Sequence, residues 1–266
     1  MTSPTAGNSA AQPLADRPGA GPCVAGHGGF EYLRQIAAPH VPGDRLHILP
    51  LGVDTRLFTP TNSPNEPDPY ALRITQSVLR PTPHAPHPNL LHVASLSPVK
   101  DQATLLHALA ILVNSHPEVH LHIVGAGPLL ASLTALAGDL GIASYVTFHG
   151  LVPHDQLPDR YRAADLFVLS SRYESQSLVA LEAAACGCPV AGTAVGVLPE
   201  LLPASQLAPA GDAGALAEAI RRLIENPEQR AVTARAVETD VHTRFSLDQT
   251  SNQLQLLYQG LATAAH

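Results

Sequence analysis

The chain has 266 residues, of which 45% are hydrophobic and 14% charged, so it can bury a core and global disorder is disfavoured. The formal net charge of −7 argues against nucleic acid or an anionic membrane as a partner, because both need a basic surface. No apolar run approaches the ~18 residues of a membrane span, and the first residues lack the pattern of a secretory signal. We therefore expect a cytoplasmic protein, with peripheral attachment to a membrane left open.

The first third of the chain shows little regular patterning. Residues 1–28 are rich in Pro, Gly, Ala and Ser and have no hydrophobic period, which predicts a disordered tail. Residues 29–38 favour a short helix, and residues 46–49 favour a brief strand. Residues 59–89 contain eight prolines, which are excluded from helix interiors and central strands, so this segment is predicted to be a linker or surface loop.

From residue 90 onward, compact apolar runs alternate with segments of helical periodicity. The predicted strands are 90–95, 119–124, 145–150, 165–170, 189–193 and a short one near 206–208, and the predicted helices are 101–115, 128–140, 156–164, 177–187, 198–202 and the segments from 214 onward. This alternation predicts βαβ units, and therefore a Rossmann-like α/β fold whose parallel sheet is covered by helices on both faces. Ligands of such sheets bind beyond the carboxyl ends of the strands. The loops that follow strands are therefore the candidate binding loops.

Two of these loops have features of a phosphate site. Lys100, in the sequence SPVKD, lies where a strand ends and a helix begins, so its charge would add to the backbone N–H groups of a helix N-terminus. Gly125 and Gly127, in GAGP, permit a tight turn and a close approach by a ligand. A solvated lysine and a plain turn also fit these two loops. GAGP is not the GxGxxG pattern of dinucleotide-binding proteins.

Two carboxylates follow the fourth long predicted strand. Glu174 lies in the loop after it, and Glu182 lies about one turn into the next helix, on an otherwise apolar face. A carboxylate on such a face costs free energy unless it is paired or hydrogen-bonded. Two carboxylates near one edge of the sheet suit the hydroxyl groups of a ribose and a hexose, although a single helical Glu is most often solvent-exposed.

The cysteines and histidines do not predict a metal site. The three cysteines, Cys23, Cys186 and Cys188, do not suggest a disulfide framework. Cys186 and Cys188 lie two residues apart, but no other Cys or nearby His pair completes a ligand set, so we expect ordinary buried thiols. His120 and His122 alternate with apolar residues on a predicted strand and therefore point to one face, but no zinc-binding spacing is present. We expect no metal and no cofactor.

Six segments together resemble the C-terminal, donor-binding domain of glycosyltransferase family 4, a retaining family with the GT-B fold. They are LHILPLGVDTRLFTP, LLHVASLSPVKDQATLLHALAIL, LHIVGAGPL, VTFHGLVPHDQLPDRYRAADLFVLSSRYES, ESQSLVALE with the E-x7-E spacing, and LVALEAAACGCPVAGTAVGVLPEL. They occur in the family's order, and the similarity extends over about residues 46–260.

The resemblance implies a role for each matching residue. Lys100 would hold the diphosphate of a nucleotide sugar and neutralise the leaving group, Glu174 would face the donor sugar, and Glu182 would accept hydrogen bonds from ribose hydroxyls. Lys100 and Glu174 are therefore the candidate catalytic residues. The remaining candidates are the nucleotide-pocket residues Gly125, Gly127, His149, Gly150 and Val152, and the residues Ser177, Leu178 and Val179, whose backbone would bind phosphate. Lys and a helix dipole would supply the positive charge that a metal supplies elsewhere.

Two departures from the family pattern affect the candidate site. Ser95 stands where the family usually has Arg, five residues before Lys100, so one of the two cations expected near the diphosphate is absent. Between the two glutamates, Ser175–Gln176–Ser177 replaces the common GFG. The donor sugar therefore does not follow from the resemblance.

The resemblance also implies a domain organisation. Residues 29–58 would be a remnant of an N-terminal domain and the inter-domain segment, residues 90–245 the nucleotide-sugar-binding domain, and residues 246–266 a C-terminal crossover helix, with most of the N-terminal domain missing. The implied activity is retaining hexosyl transfer from a nucleotide-diphospho-sugar to a saccharide, lipid or small-molecule acceptor. The alternatives are a non-catalytic nucleotide-sugar-binding module, or a half-enzyme completed by an N-terminal domain in trans. The GVDTRLF segment and the E-x7-E spacing argue against a GT-B-like epimerase or phosphorylase.

Overall fold

The computed structural model describes residues 34–41, 46–60 and 88–264, with side chains as far as residue 260. The predicted tail at residues 1–28 and nearly all of the Pro-rich segment 59–89 lie outside the described residues. Of the helix predicted at 29–38, residues 34–37 are helical, and the part before residue 34 is likewise outside the described residues.

Six parallel strands form one sheet in the order β3-β2-β1-β4-β5-β6. The strands are β1 Asn89–Val93, β2 His120–Val124, β3 Val146–Gly150, β4 Leu166–Leu169, β5 Val190–Thr193 and β6 Leu207–Ala208. Strand β1 is central, and its Leu91 pairs with His122 on one side and Phe167 on the other. The strand order reverses beside β1, because β2 and β3 lie on one side and β4 to β6 on the other. The predicted parallel α/β fold is confirmed.

Helices cover both faces of this sheet. They are α1 Gln102–Leu112, α2 Leu130–Asp139, α3 Leu157–Ala163, α4 Leu178–Ala185, α5 Leu198–Leu201, α6 Ala213–Glu225, α7 Pro227–Arg244 and α8 Leu247–Ala264. No helix in the described ranges is long and apolar enough to cross a membrane.

The alternation of side chains along the strands divides the hydrophobic core in two. Leu91, Val93 and Phe167 point to the face covered by α3, α4 and α7, whereas Leu90 and Val168 point to the face covered by α1 and α6. Both faces are therefore buried, which explains why β1 and β4 are nearly continuous apolar runs. Each fully buried leucine contributes about 1.5–3 kcal/mol.

The strand predicted at residues 46–49 does not form. The ladder contact of this part of the chain falls later instead: Val53 forms an isolated parallel bridge with Ser246, just before α8. Val53 and Phe58 are both buried in the core beneath α3 and α4. The apolar positions of GVDTRLF are thus part of the folded domain.

Candidate functional site

The carboxyl ends of the parallel strands bring Lys100 and Glu174 together at one edge of the sheet. Lys100 ends a short 3-10 turn, Pro98–Lys100, after β1, and Glu174 lies in the loop between β4 and α4. The Lys100 Nζ donates to Glu174 Oε1 over 2.6 Å, and the Ser171 hydroxyl donates to the same oxygen over 2.7 Å. The two charged side chains are only 22% and 10% exposed. Residues 74 positions apart in sequence therefore form one half-buried ion pair.

The loop that carries Lys100 is held by its neighbours on α1 and in the loop after β4. Asp101 adopts the left-handed conformation, with φ of 46°, and its carboxylate accepts hydrogen bonds from the Thr104 N–H and hydroxyl, which caps α1. Arg172 Nε lies 2.9 Å from the same carboxylate, and the Ser170 hydroxyl donates to the Lys100 carbonyl over 2.8 Å. The loop after β4 thus fixes the loop after β1.

A buried histidine supports the Ser95 position. His92 Nδ1 donates to the Val168 carbonyl over 2.9 Å, and burial lowers the pKa of His92 to about 4, so the ring is neutral at pH 7. Its Nε2 can then accept from Gln102 Nε2 at 3.3 Å, and the same amide donates to the Ser95 carbonyl over 2.9 Å. The Ser95 side chain itself is exposed and lies 3.3 Å from the Ser97 hydroxyl. The position where the family usually has Arg is therefore uncharged but held in place through its backbone.

Glu182 is buried and has two side-chain partners. It is 8% exposed, its Oε2 accepts from the Tyr161 hydroxyl over 3.0 Å, and its Oε1 lies 3.2 Å from His154 Nε2. Burial, and then the neighbouring carboxylate, raise the pKa of Tyr161 well above its usual value, so this hydroxyl remains a donor. The prediction that a carboxylate on this face needs partners is confirmed.

Sequence reasoning did not single out either partner. His154 lies in the loop after β3 that the fold predicts to face a ligand, and its side chain is 64% exposed. Tyr161 lies on α3 and is fully buried. In the sequence it looks like an ordinary core residue, so nothing indicated that its hydroxyl donates to a carboxylate. One carboxylate oxygen of Glu182 is thus anchored in the core, and the other is held by an exposed side chain.

The glycine loops pack backbone against backbone. Gly125 has φ of 137°, and a Cβ there would lie 1.8 Å from the Ala94 carbonyl oxygen; a Cβ at Gly127 would lie 2.3 Å from that of Leu96. The Gly125 N–H also donates to the Gly150 carbonyl over 2.8 Å. The requirement for glycine therefore follows from loop packing, and contact of these residues with a nucleotide stays a prediction.

The His149 side chain, on β3, contacts a histidine of the neighbouring strand β2. Its Nε2 lies 3.0 Å from His122 Nδ1, and the His122 ring lies 4.7 Å from that of His120, so the prediction that His120 and His122 share a face is confirmed. Burial lowers the pKa of all three, that of His122 to about 4. Val152 is half-buried against the core beneath α3 and α4. The part of these residues in a nucleotide pocket stays a prediction.

Cys186 and Cys188 lie at the end of α4 and are buried, as expected from the sequence. Burial raises the pKa of the Cys186 thiol to about 12 and that of Cys188 further, so neither is a thiolate at pH 7. In the described part of the chain, no group of three or more His, Cys, Asp or Glu side chains is arranged to hold a metal ion.

The segment that replaces GFG has an unusual conformation. Ser177 precedes α4 with φ of 77°, a left-handed conformation that glycine adopts more easily, and its buried hydroxyl has no hydrogen-bond partner among the described residues. Leu178 and Val179 follow, and the first N–H groups of a helix have no acceptor within the helix. Gln176 is buried, and its amide forms two hydrogen bonds with the backbone of Leu51.

The family model described as "Glycosyl transferases group 1" matches residues 82–240, which is more than half of the chain. A GDP-mannose-dependent alpha-(1-6)-phosphatidylinositol monomannoside mannosyltransferase from Mycolicibacterium smegmatis is 32% identical over 74% of this chain and 52% of its own length. A D-inositol 3-phosphate glycosyltransferase from Thermobispora bispora is 32% identical over 85% of this chain and 53% of its own length. The chain thus spans about half the length of these curated relatives.

Solved structures share the fold. Sucrose-phosphate synthase from Thermosynechococcus elongatus superposes with a TM-score of 0.72 and 28% identity, over 88% of this chain and 56% of that one. The Anabaena protein HepE in complex with UDP gives a TM-score of 0.69 and 26% identity, over 82% of this chain and 58% of that one.

Proposed function

Because the chain belongs to the glycosyl transferases group 1 family, we propose that it carries the donor site of a retaining glycosyltransferase. This enzyme would transfer a hexosyl group from a nucleotide-diphospho-sugar to a saccharide, lipid or small-molecule acceptor. The observation that carries the proposal is the convergence of Lys100, Glu174 and the N-terminus of α4 at the carboxyl edge of the sheet, with Glu182 in the second turn of the same helix. The names of the relatives, which include a GDP-mannose-dependent enzyme and a UDP complex, support a nucleotide sugar as the donor.

Lys100 is proposed to exchange partners when the donor binds. In the structure, the charge of its Nζ is paired with the Glu174 carboxylate. The helix dipole at the N-terminus of α4 would attract a diphosphate, and the charge of that diphosphate would attract Lys100, while Ser171 keeps Glu174 in position. Glu174 would then be free to face the sugar hydroxyls. Lys100 would stabilise the negative charge that develops on the leaving diphosphate.

Glu182 is proposed to bind the ribose. Its Oε2 is anchored by the buried Tyr161, whereas its Oε1 is paired with the exposed His154. A ribose hydroxyl can replace an exposed partner at Oε1 without disturbing the anchored oxygen. The carboxylate is therefore oriented before the nucleotide arrives, which lowers the entropy cost of binding.

Calorimetry with UDP, GDP and ADP in the presence of EDTA tests this assignment. We expect at least one nucleoside diphosphate to bind without a metal. Lys100→Ala should weaken that binding by about 1.5–3 kcal/mol, the usual contribution of a charge-assisted hydrogen bond, and should have little effect on the parent nucleoside. Glu182→Ala should weaken the binding of nucleoside and nucleotide alike.

The matched control is Arg221→Ala, which removes one positive charge from an exposed ion-pair network on α6. This variant should bind nucleotides as the unmodified chain does. If the folded chain binds none of the three nucleotides, the donor-site proposal is wrong. If Lys100→Ala weakens the nucleoside as much as the nucleotide, the role of Lys100 is wrongly assigned, and if Glu182→Ala leaves nucleoside binding unchanged, the role of Glu182 is wrongly assigned.

The alternative function is a nucleotide-sugar-binding module, or a half-enzyme that needs a partner domain. The chain spans about half the length of the curated relatives it matches. Transfer requires donor and acceptor to be held in line, and such orientation lowers the activation free energy by about 7–11 kcal/mol. The residues described here would then bind and slowly hydrolyse the donor, and an added N-terminal domain would be needed for transfer. Rapid transfer to a defined acceptor by this chain alone would exclude the half-enzyme reading.

A further inference from the structure

Gln176 joins the loop that holds Glu174 to a distant part of the chain. We call residues 174–177 the donor loop and residues 50–53 the entry segment. The Gln176 side chain is 4% exposed; its Oε1 accepts from the Leu51 N–H over 2.8 Å and its Nε2 donates to the Leu51 carbonyl over 2.5 Å. One side-chain amide thus pairs with both polar groups of one residue, as a neighbouring strand would.

The other side of Gln176 is also fixed. Its carbonyl accepts from the Val197 N–H over 2.9 Å, just before α5. Gly196 has φ of 59°, and a Cβ there would lie 2.7 Å from the Gln176 carbonyl oxygen and 2.8 Å from the Glu174 Cβ. The donor loop therefore cannot shift toward α5. Gln176 is held by α5 through its backbone carbonyl and holds Leu51 through its side-chain amide.

The entry segment is in turn bonded to the start of α8. The Val53 N–H donates to the Phe245 carbonyl over 2.7 Å, the Leu247 N–H donates to the Val53 carbonyl over 2.9 Å, and the Thr250 hydroxyl donates to the Pro50 carbonyl over 2.8 Å. A chain of hydrogen bonds thus runs from α5 through the donor loop and the entry segment to α8.

We infer that Gln176 is a positioning residue that couples occupancy of the donor loop to the order of Leu51 in the entry segment. The inference rests on the proposed function, because it takes the ligand of the donor loop to be a nucleoside diphosphate. A ligand that orders the loop holds the Gln176 amide in place, and the Leu51 hydrogen bonds then open less often. By linkage, releasing Leu51 must weaken ligand binding by the same factor.

Leu51 makes this coupling measurable. The residue is 56% exposed, so its N–H is protected from exchange with solvent chiefly by its bond to Gln176. Amide hydrogen exchange at Leu51 should therefore be slow in the unmodified chain, and slower still with a saturating nucleoside diphosphate. In Gln176→Leu it should be at least about tenfold faster and insensitive to that nucleotide. Val53, whose N–H is bonded to Phe245, is the internal control and should exchange equally in both proteins.

Binding provides the second measurement. Gln176→Leu should weaken UDP, GDP or ADP, whichever binds, by about tenfold, which corresponds to about 1.4 kcal/mol. The parent nucleoside, which is assigned to Glu182, should bind as before. A role in stability alone would not separate the two ligands. The variant is expected to fold, because Leu51 is 56% exposed and water can reach its backbone when the Gln176 amide is gone.

The matched control is Thr250→Val, which removes the side-chain hydrogen bond from α8 to the Pro50 carbonyl and leaves the backbone hydrogen bonds of Val53 in place. It should leave both the exchange at Leu51 and the affinity for the nucleotide unchanged. Unaltered Leu51 exchange in Gln176→Leu, or an equal loss of nucleoside and nucleotide affinity, would overturn the coupling and leave the donor site intact. Failure of the unmodified chain to bind any of the nucleotides would instead refute the proposed function, and the coupling to binding with it.

Discussion

The Tyr161→Phe substitution tests how Glu182 is held. The Tyr161 ring is fully buried and lies 5.8 Å from the Phe167 ring and 6.0 Å from that of Phe58, contacts that phenylalanine retains. The change therefore removes one hydroxyl and its 3.0 Å bond to Glu182 Oε2. Because Glu182 is only 8% exposed, water does not fully replace that donor.

The structure also sets the size of the effect. A hydrogen bond to a charged group contributes about 1.5–3 kcal/mol, so the free energy of unfolding should fall by that amount. In a domain of this size the melting temperature should then fall by about 3–12 °C. Urea denaturation at pH 7 of the unmodified chain, Tyr161→Phe, Glu182→Gln and the double variant would complete a double-mutant cycle. With the charge removed by Glu182→Gln, the same loss of a hydroxyl should cost only about 0.5–1.5 kcal/mol.

If Tyr161→Phe lowers the free energy of unfolding equally with Glu182 present and with Glu182→Gln, the hydroxyl does not act through the carboxylate. A second readout separates orientation from stability. Tyr161→Phe should also weaken nucleoside binding, whereas a variant of equal stability with Glu182 and its partners intact should not. Unchanged nucleoside affinity in a less stable Tyr161→Phe would mean that Glu182 does not depend on this anchor.

The remaining predictions concern the glycine loops and the histidines of the sheet. Gly127→Ala should destabilise the fold by about 1–3 kcal/mol, because its Cβ meets the Leu96 carbonyl at 2.3 Å, whereas Gly138→Ala, with open space on α2, should stabilise it by about 0.5–1 kcal/mol in thermal denaturation. Burial lowers the pKa of His122 to about 4, so its contribution to stability is present above about pH 6.5 and lost as the pH falls toward 4. His122→Asn should therefore reduce the pH dependence of unfolding in that window by up to about 1.4 kcal/mol per pH unit, and an unchanged pH dependence would contradict this account.

The element pattern was predictable because it depends on local periodicity. Apolar runs such as 90–95 and 165–170 were placed correctly, and their observed ends, Val93 and Leu169, differ only by one or two residues. The strand predicted at 46–49 was wrong for an instructive reason. A short apolar run becomes a strand only when a neighbouring edge is free to pair with it, and no pattern within the run specifies that.

The candidate site was predictable in part. The approximate place of Lys100, Glu174 and Glu182 followed from the rule that the loops after parallel strands share one edge. Their partners did not follow. The Tyr161 that anchors Glu182 looks like an ordinary core residue in the sequence, and the Gln176 that bonds to Leu51 appeared only as a departure from the family pattern.

The sequence alone therefore determined the parallel α/β fold, the family and the loops in which the charged residues lie, because each depends on residues close together in the chain. Only the tertiary structure decided which side chains meet. Lys100 and Glu174 are 74 residues apart, and Gln176 and Leu51 are 125 residues apart. Contacts of that range depend on strand order, on the twist of the sheet and on how the helices pack over it. The backbone must assemble as a whole before any such pair can form.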